Sequence, residues 1–531
     1  MSSSADPIRV NPWVVGLTVT LATFMEILDT SIANVSLPHI AGNLSAGIDE
    51  STWVLTSYLV ANAIVLPLSG WLSSLLGRKN YYQISVVIFT VSSLLSGLAP
   101  TLGLLVVARV FQGIGGGGLQ PSAQSILVDA FPREKLGMGM AIYGVAVVTA
   151  PIIGPTLGGW ITDHMSWRWI FFINIPVGLL SLFLTSKFVH DPVHLKRHHK
   201  SKGFSIDYVG LSLVTLGIGA LQIMLDKGQR EDWFSSHLIV GLAAVAITSL
   251  VVAVIWELKR EHPIVDLRLL RDRNFFLSNV LMFMLGFSLF ASTVLLPLLM
   301  QTLLGYSATT AGLVLSPGGF MTMAVLPIVG FLLSKYDARL LVMIGLSIVS
   351  FSLFQMSHFN LGLDYRTAVI ARIIQSGGLG FLFVPINSIA YFFIPKEKNA
   401  DAAGLLNFSR NIGGSVGIAL VTTFLARDTQ RHQNNLIAQL TPYSVGLQNS
   451  LHRATDMLIH RGINAVQAPQ FAIGLHYKQL LRQSMMLGYL DNFRLIGTIM
   501  LLTIPILFLM KKVKPHKSSD QPKIEPEGMG V

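Results

Sequence analysis

Two carboxylic acids lie three residues apart inside one long apolar stretch. Glu26 and Asp29 fall between Trp13 and Leu37, a run long enough to cross a bilayer, which takes about 20 helical residues at ~1.5 Å each. A carboxylate in hydrocarbon costs on the order of 2.5–3.5 kcal/mol on insertion scales, so it normally faces water or a partner. The alternative is a pair of helix-end acids that reach the interface. Because both acids lie well inside the run, we expect them to be functional residues.

Arg109 is the natural counter-charge for these acids. It lies about eight residues, or ~12 Å, from the outer end of its own apolar run, and Asp29 lies about nine residues, or ~13 Å, from the outer end of its run. An arginine inside a membrane also needs a partner. We predict an Asp29–Arg109 pair at matched depth, which is either functional or an ion pair that only fixes packing.

The composition identifies an integral membrane protein. Of the 531 residues, 52% are hydrophobic and only 12% are charged, whereas a soluble globular protein carries roughly 25% charged residues. The chain has no cysteine, so disulfides and thiolate metal sites are excluded. The first apolar run is too long for a cleavable signal and lacks a short basic start.

Fourteen apolar spans are predicted. They cover residues 13–37, 51–73, 81–99, 101–127, 137–161, 168–189, 206–226, 237–257, 275–304, 308–333, 340–358, 366–394, 403–426 and 488–510. Lysines and arginines are concentrated in alternate short loops, which predicts a multi-pass protein with both termini cytoplasmic. This distribution also accounts for the net charge of +11, so a nucleic-acid partner is not expected.

An internal repeat organises the chain. Arg109-Val-Phe-Gln112-Gly113 returns as Arg372-Ile-Ile-Gln375-Ser376, and a proline-basic loop at residues 132–135 returns at residues 395–398 with the same offset. Two six-helix copies are typical of secondary transporters whose site lies between the halves. The predicted domains are an N-terminal six-helix bundle (1–189), two inserted helices with basic loops (190–274), a C-terminal six-helix bundle (275–510) and a cytoplasmic tail (511–531).

Two loops depart from the short connections elsewhere. Residues 427–487 are polar and long, and we expect them outside the membrane, either as a small helical element that meets a partner or as a solvated insertion. The inner loop before span 7 holds basic residues with His190, His194, His198 and His199. A basic loop near anionic headgroups is favoured there over metal binding.

Motifs at four helix-specific places resemble the major facilitator superfamily, in its 14-helix drug:proton antiporter branch. They are residues 28–38 of span 1, Gly70 with Gly77-Arg78-Lys79 after span 2, residues 109–115 of span 4, and residues 150–159 of span 5. The chain is most similar to EmrB-type inner-membrane pumps of Gram-negative tripartite efflux systems. The expected fold is all-α, with two six-helix halves plus two inserted transmembrane helices.

The resemblance implies proton-driven export of hydrophobic or amphipathic toxic compounds across the inner membrane. It implies proton coupling by Asp29 and Arg109. The family more often has an uncharged residue where Glu26 stands, and three roles stay open for Glu26: a second proton carrier, a cation-recognising carboxylate or a neutral acid. It also implies a periplasmic adaptor (membrane fusion protein) and an outer-membrane channel as partners, with residues 427–487 as the docking element. No cofactor or metal is implied. A dedicated exporter of a lipid, fatty acid or siderophore is the alternative, and a passive channel or an intramembrane enzyme is the alternative from another class.

Other polar and small residues inside the spans define the remaining expectations. Asn34, Gln112, Asn407 and Arg410 line the substrate cavity or, for the last two, make interhelical hydrogen bonds. Residues expected in gating or close packing are Gly70, Gly77, Arg78, Gly113, Gly154, Pro155, Gly158 and Gly159. The run Gly115–Gly118 lacks a following Gly-Lys-Ser/Thr, so it does not predict a phosphate loop. Ser74 replaces the aspartate common to the family, and Asp129 is a substitute partner for Arg78.

Overall fold

The structure, a computed structural model, describes residues 11–132, 135–191, 207–261, 263–441 and 443–512, and these residues form helices and no strand. The longer helices are α1 (Pro12–Asn43), α2 (Trp53–Leu76), α3 (Arg78–Leu98), α4 (Leu102–Ala130), α5 (Leu136–His164), α6 (Asn174–Phe188), α7 (Tyr208–Lys227), α8 (His237–Lys259), α9 (Arg273–Thr302), α10 (Ser316–Leu332), α11 (Ala338–Met356), α12 (Tyr365–Phe392), α13 (Asn399–Gln439), α14 (Val445–His460) and α15 (Ala468–Thr503). Short helices at Ile48–Ser51, Trp169–Phe172 and Ala308–Leu313 precede α2, α6 and α10.

The predicted all-α membrane class is confirmed. Among the described residues, twelve helices are long and apolar enough to cross a membrane, or thirteen if the bent α5 counts as one span. The thirteenth predicted span, 403–426, lies within α13, which is longer than any other described helix. Asn407, Arg410 and Asn411 lower the apolar character of α13, and α13 is not among the spans found by length and composition.

Helix packing divides the chain into two groups that meet along two seams. In the first group α1 packs on α5, α4 and α6, and α4 packs on α2 and α3. In the second group α9 packs on α13 and α12, while α11 packs on α12 and α15. The seams are α2 against α13 and α5 against α10, and the α7–α8 pair packs outside α2.

Proline bends α5 where it lies against α1. The axis turns by 43° between Leu136–Pro151 and Ile153–His164. Pro155 has no N–H for the carbonyl four residues earlier, which belongs to Pro151. The Ser31 hydroxyl of α1 donates to that carbonyl at 3.0 Å, so the free acceptor created by the proline is satisfied by the neighbouring helix.

Glycines let the helices of the first group approach closely. A Cβ at Gly113 or Gly117 would meet α2 residues, and one at Gly115 or Gly118 would meet α3 residues. A Cβ at Gly154 would collide with Ser31, and one at Gly158 would lie 2.9 Å from Ile32 Cγ2. Gly113 and Gly117 are four residues apart, as are Gly154 and Gly158. This spacing places both of these pairs at helix contacts, as predicted.

The segment 427–487 is mostly helical. Helix α13 continues to Gln439, α14 follows, and α15 begins at Ala468, so spans 13 and 14 are extended beyond their predicted ends. His432 Nε2 lies 2.7 Å from Asp491 Oδ2, and the Gln433 amide donates to the Tyr477 hydroxyl at 3.1 Å. These contacts tie the extension of α13 to α15. Because residues 427–487 are polar, a search for apolar runs did not predict these helices.

Gly158→Ala is expected to loosen the α1–α5 contact, because its methyl group would lie 3.1 Å from the Ile32 Cα and overpacking costs roughly 1–3 kcal/mol. The midpoint of thermal unfolding of the detergent-purified protein, followed by tryptophan fluorescence, should fall by several degrees. Gly159→Ala is the matched control: no atom lies within 4 Å of its added Cβ. An equal fall for both variants would contradict this packing argument. Packing gives no reason for a glycine at position 159.

Candidate functional site

Asp29 lies at the centre of a buried hydrogen-bond network in the first helix group. Its carboxylate accepts from Arg109 Nη1 at 2.6 Å, from Gln112 Nε2 at 3.0 Å and from Asn174 Nδ2 at 2.7 Å. Asp29 and Arg109 are only 2% and 0% exposed. The contact predicted from matched depth is confirmed, and the charge-assisted bonds draw α1, α4 and α6 together.

The Arg109 guanidinium is held on several sides. Its Nε donates to the Val54 carbonyl at 3.0 Å, and Nη1 also donates to Gln112 Oε1 at 2.9 Å. The ring of Tyr58 lies 4.3 Å from the guanidinium carbon, within cation–π distance. Nη2 is buried without a hydrogen-bond partner. The side chain therefore depends on Asp29 for its only ion pair among the described residues.

Asn174 is a functional residue that the sequence analysis missed. It is 1% exposed, and its amide donates both to Asp29 and, at 3.0 Å, to Ser93 Oγ. In the sequence Asn174 is a polar residue inside the apolar run 168–189, and the same pattern identified Gln112. The short helix before α6 ends at Phe172, and α6 begins at Asn174 after a one-residue interruption of the helix. At this position the Asn174 side chain reaches Asp29 of α1.

Glu26 has a different set of neutral partners. Its carboxylate accepts from the Tyr58 hydroxyl at 2.8 Å, from Asn62 Nδ2 at 3.1 Å and from Gln120 Nε2 at 2.6 Å. Glu26 is 3% exposed. The hydroxyl and one amide come from α2 and the other amide from α4, so the two acids of α1 share α4 as a neighbouring helix but no direct donor.

Buried amides connect the two helix groups beside Glu26. Gln120 accepts from the Arg410 guanidinium of α13, and Gln124 donates to Asn387 of α12. Asn407 Nδ2 donates to Gln124 Oε1 at 2.5 Å. Asn407 and Arg410 were expected either to line the cavity or to make interhelical hydrogen bonds. In the structure both residues make interhelical hydrogen bonds, which join the two helix groups.

One face of α1 beside Asp29 is partly exposed. Ile27, Thr30 and Ser31 are partly exposed, and Asn34, one turn further, is exposed. The Thr30 and Ser31 hydroxyls donate to the carbonyls of Glu26 and Pro151 at 3.3 and 3.0 Å. Asn34 lies away from the Asp29 network, on the same partly exposed polar face.

The end of the molecule that holds the α2–α3 turn is tightly closed. Arg78 forms an ion pair with Asp129 and donates through Nη2 to the Lys396 carbonyl at 3.0 Å, while Asn399 Nδ2 donates to Asp129 at 2.9 Å. The predicted Arg78–Asp129 pair is therefore confirmed, and it joins both helix groups. A Cβ at Gly70 would collide with Asp401.

Gly77 has a backbone requirement of its own. Its φ of 86° lies in the region that favours glycine, and the turn lets Lys79 N donate to Asp191 Oδ1 at 2.8 Å.

No group of three or more His, Cys, Asp or Glu side chains suited to a metal ion occurs in the described part of the chain. His194, His198 and His199 lie at 192–206, outside the described residues.

Comparison with known proteins gives a consistent family. The model of the Major Facilitator Superfamily matches residues 19–418. The fatty acid resistance protein FarB of Neisseria gonorrhoeae is 38% identical over 94% of this chain and 96% of its own length. The multidrug export protein EmrB of Escherichia coli is 34% identical over 94% of this chain and 95% of its own. The proton:xylose symporter XylE has the same fold, with a TM-score of 0.56, 14% identity, and 93% and 96% coverage.

Asn174→Ala is expected to weaken the Asp29 network, because a hydrogen bond to a charged group contributes about 1.5–3 kcal/mol. Thermal unfolding of the purified protein should shift to lower temperature by several degrees. The control is Asn43→Ala, because the exposed Asn43 amide bonds only to a carbonyl of its own helix, that of His39. If both variants unfold like the wild type, Asn174 does not help to hold the site.

Proposed function

The chain belongs to the major facilitator superfamily, as its motifs predicted, and is a membrane transporter rather than an enzyme; from this premise we propose that it is a proton-driven exporter. The observation that carries the proposal is the buried ion pair of Asp29 with Arg109. A fixed structural pair needs no titratable access, whereas Asp29 adjoins a partly exposed polar face of α1. In this proposal the face lines a water-filled cleft, from which the Asp29 carboxylate can take up a proton.

Protonation of Asp29 would change the forces on three helices at once. The neutral acid no longer balances Arg109, and leaving a buried cation unpaired is strongly unfavourable. The ties from α1 to α4 and α6 would weaken together, because all three donors bond to the same carboxylate. Loss of these ties favours a rearrangement of the first half, and proton release to the other side would restore them.

Glu26 has a separate place in this proposal. Its partner Gln120 also bonds to Arg410, so the charge of Glu26 is connected to the seam between the halves. Opening of the closed end requires these side chains to separate. We assign Glu26 the role of a second titratable group that responds to the opening of the seam. Arg109 responds to the charge of Asp29.

The substrates are hydrophobic or amphipathic compounds taken from the cytosol or the membrane. The names of FarB and EmrB support fatty acids and multiple drugs, respectively, as candidate classes. Partly exposed apolar residues such as Ile27 and Phe290 lie beside polar ones on the faces of α1 and α9. A mixed surface of this kind suits molecules that carry both apolar and polar parts.

The helical extension formed by residues 427–487 is the proposed docking element for a periplasmic adaptor, which in turn meets an outer-membrane channel. The extension exposes large apolar side chains: Tyr443 is 89% exposed, Val466 83% and Phe471 54%. Apolar side chains grouped on a surface outside the bilayer mark interaction sites. In this proposal the protein lies in the inner membrane with both termini in the cytoplasm.

Asp29→Asn is expected to abolish proton-driven efflux in proteoliposomes while the protein still inserts, because the amide cannot exchange a proton but preserves the shape of the acid. Transport is measured across cationic, neutral and weakly acidic compounds, with and without an imposed proton gradient. Asp163→Asn removes an exposed carboxylate from α5 and should transport normally. Efflux by Asp29→Asn at the wild-type rate would rule out Asp29 as the coupling residue.

Phe471→Glu combined with Ile473→Glu is expected to abolish drug resistance and adaptor binding in cells, because each change places a charge on an exposed apolar position. Proton-driven transport in proteoliposomes that lack the adaptor should be unchanged. Gln479→Glu adds one such charge at an exposed polar position of α15 and serves as the control for each single change. Normal adaptor capture by the double variant would show that this surface is not the docking site.

A further inference from the structure

The second half contains a copy of the Asp29 network that lacks the acid. The residue offset that relates Arg109 to Arg372 also relates Gln112 to Gln375 and Asp29 to Ser292. Arg372 Nη1 donates to Gln375 Oε1 at 2.8 Å, just as Arg109 Nη1 donates to Gln112 at 2.9 Å. The scaffold is therefore repeated, while the carboxylate is not.

Arg372 is a buried cation surrounded by neutral groups. It is 1% exposed, and its acceptors are Ser292 Oγ at 3.1 Å and Thr293 Oγ1 at 3.1 Å, besides Gln375. None of the described residues supplies an acid in ion-pair contact with it. A buried charge without a counter-ion is costly, and the hydroxyls of α9 compensate for only part of that cost.

Donors in this cluster are left without acceptors. Gln375 Nε2 and Arg372 Nε are buried and have no hydrogen-bond partner, and the same is true of Ser376 Oγ. In the first half the equivalent amide, Gln112 Nε2, donates to Asp29 Oδ1. Serine is shorter than aspartate by two heavy atoms, so the donors that would hold a carboxylate remain while the carboxylate is missing.

We infer that the Arg372–Gln375–Ser292 cluster is a binding site for the carboxylate of an anionic amphipathic substrate. The substrate would supply the acceptor oxygens that Asp29 supplies in the first half, and its charge would balance Arg372. Two charge-assisted bonds, from Arg372 Nη1 and Gln375 Nε2, give the site its preference for a carboxylate over an uncharged group. This inference deepens the proposed function and rests on it only for the direction of transport.

The substrate can approach along α9. Phe290, Thr293, Val294 and Pro297 are partly exposed and Gln301 is exposed. These positions match, through the repeat, the partly exposed face of α1 from Ile27 to Pro38. Thr293 adjoins Ser292 and bonds to Arg372. A substrate whose carboxylate displaces the Thr293 hydroxyl would have its apolar chain beside Phe290 and Pro297.

Ser292→Asp tests the site because it supplies a resident carboxylate with the geometry of the first half. The probes are dansyl-aminoundecanoic acid and its uncharged methyl ester, bound to the full-length protein in nanodiscs and followed by fluorescence. The wild type should bind the acid about tenfold or more tightly than the ester. Ser292→Asp should lose this preference, while Ser292→Ala, which leaves the space empty, should keep it.

A purely structural role for Arg372 predicts the opposite pattern. Ser292→Ala would then be the damaging variant, because it removes an acceptor from a buried cation, and Ser292→Asp would be harmless for both probes. Equal binding of acid and ester by the wild type, or an unchanged preference in Ser292→Asp, overturns the inference. Displacement of the acid by sodium chloride as readily as by sodium acetate would also overturn it, because the site would then take any small anion.

The failure of the proposed function would be visible separately. Proton-driven transport of a lipophilic cationic dye by the wild-type protein in proteoliposomes tests the exporter proposal alone, since the dye needs no anion site. If the wild type does not transport the dye while the acid preference follows the expected pattern, only the exporter proposal fails. If the dye is transported and the acid preference is absent, only the carboxylate site fails.

Discussion

The charge of Arg109, buried in the first half, is the constraint on which the surrounding structure depends. Desolvation of a guanidinium costs several kcal/mol, and only a well-placed anion with further hydrogen bonds offsets that cost. Asp29 supplies the anion, and Gln112 and Asn174 complete its shell. Because those groups come from α1, α4 and α6, the positions of three helices depend on one charge balance. The tight glycine contacts of α4 with α2 and α3 bring Arg109 within reach of both Val54 and Asp29.

The seam between the halves uses a different kind of interaction. Amides and a guanidinium meet across it, as in Gln120 with Arg410 and Gln124 with Asn407. The neutral Gln124–Asn407 bond contributes about 1 kcal/mol and the Gln120–Arg410 bond, which involves one charge, about 1.5–3 kcal/mol, whereas loss of a buried ion pair costs roughly 3–5 kcal/mol. These seam bonds can therefore separate more readily than the first half can lose its ion pair, as the proposed transport cycle requires.

Much of this architecture follows from the sequence, but some of it does not. Matched depth in two apolar runs predicted the Asp29–Arg109 contact, and a single offset predicted the repeat, because both depend on residue counts along regular helices. The partners of Glu26 required tertiary information, since Tyr58 and Asn62 have no pattern that separates them from ordinary core residues. Asn174 was within reach of the same polar-in-apolar criterion that found Gln112. The long helices α13 and α15 were underestimated because their outer turns are polar.

The repeat gives a physical reason for the asymmetry between the halves. Arg109 and Arg372 occupy equivalent places, yet one faces a titratable acid and the other faces Ser292. When Asp29 takes up a proton, the first half acquires the electrostatic state that the second half has permanently: a buried arginine held by neutral groups. The Arg372 cluster cannot make the reverse change, because none of the described groups bonded to Arg372 is an acid. Under the proposed coupling, a proton therefore changes the charge balance around Arg109, while Arg372 keeps a positive charge that does not depend on the protonation of Asp29.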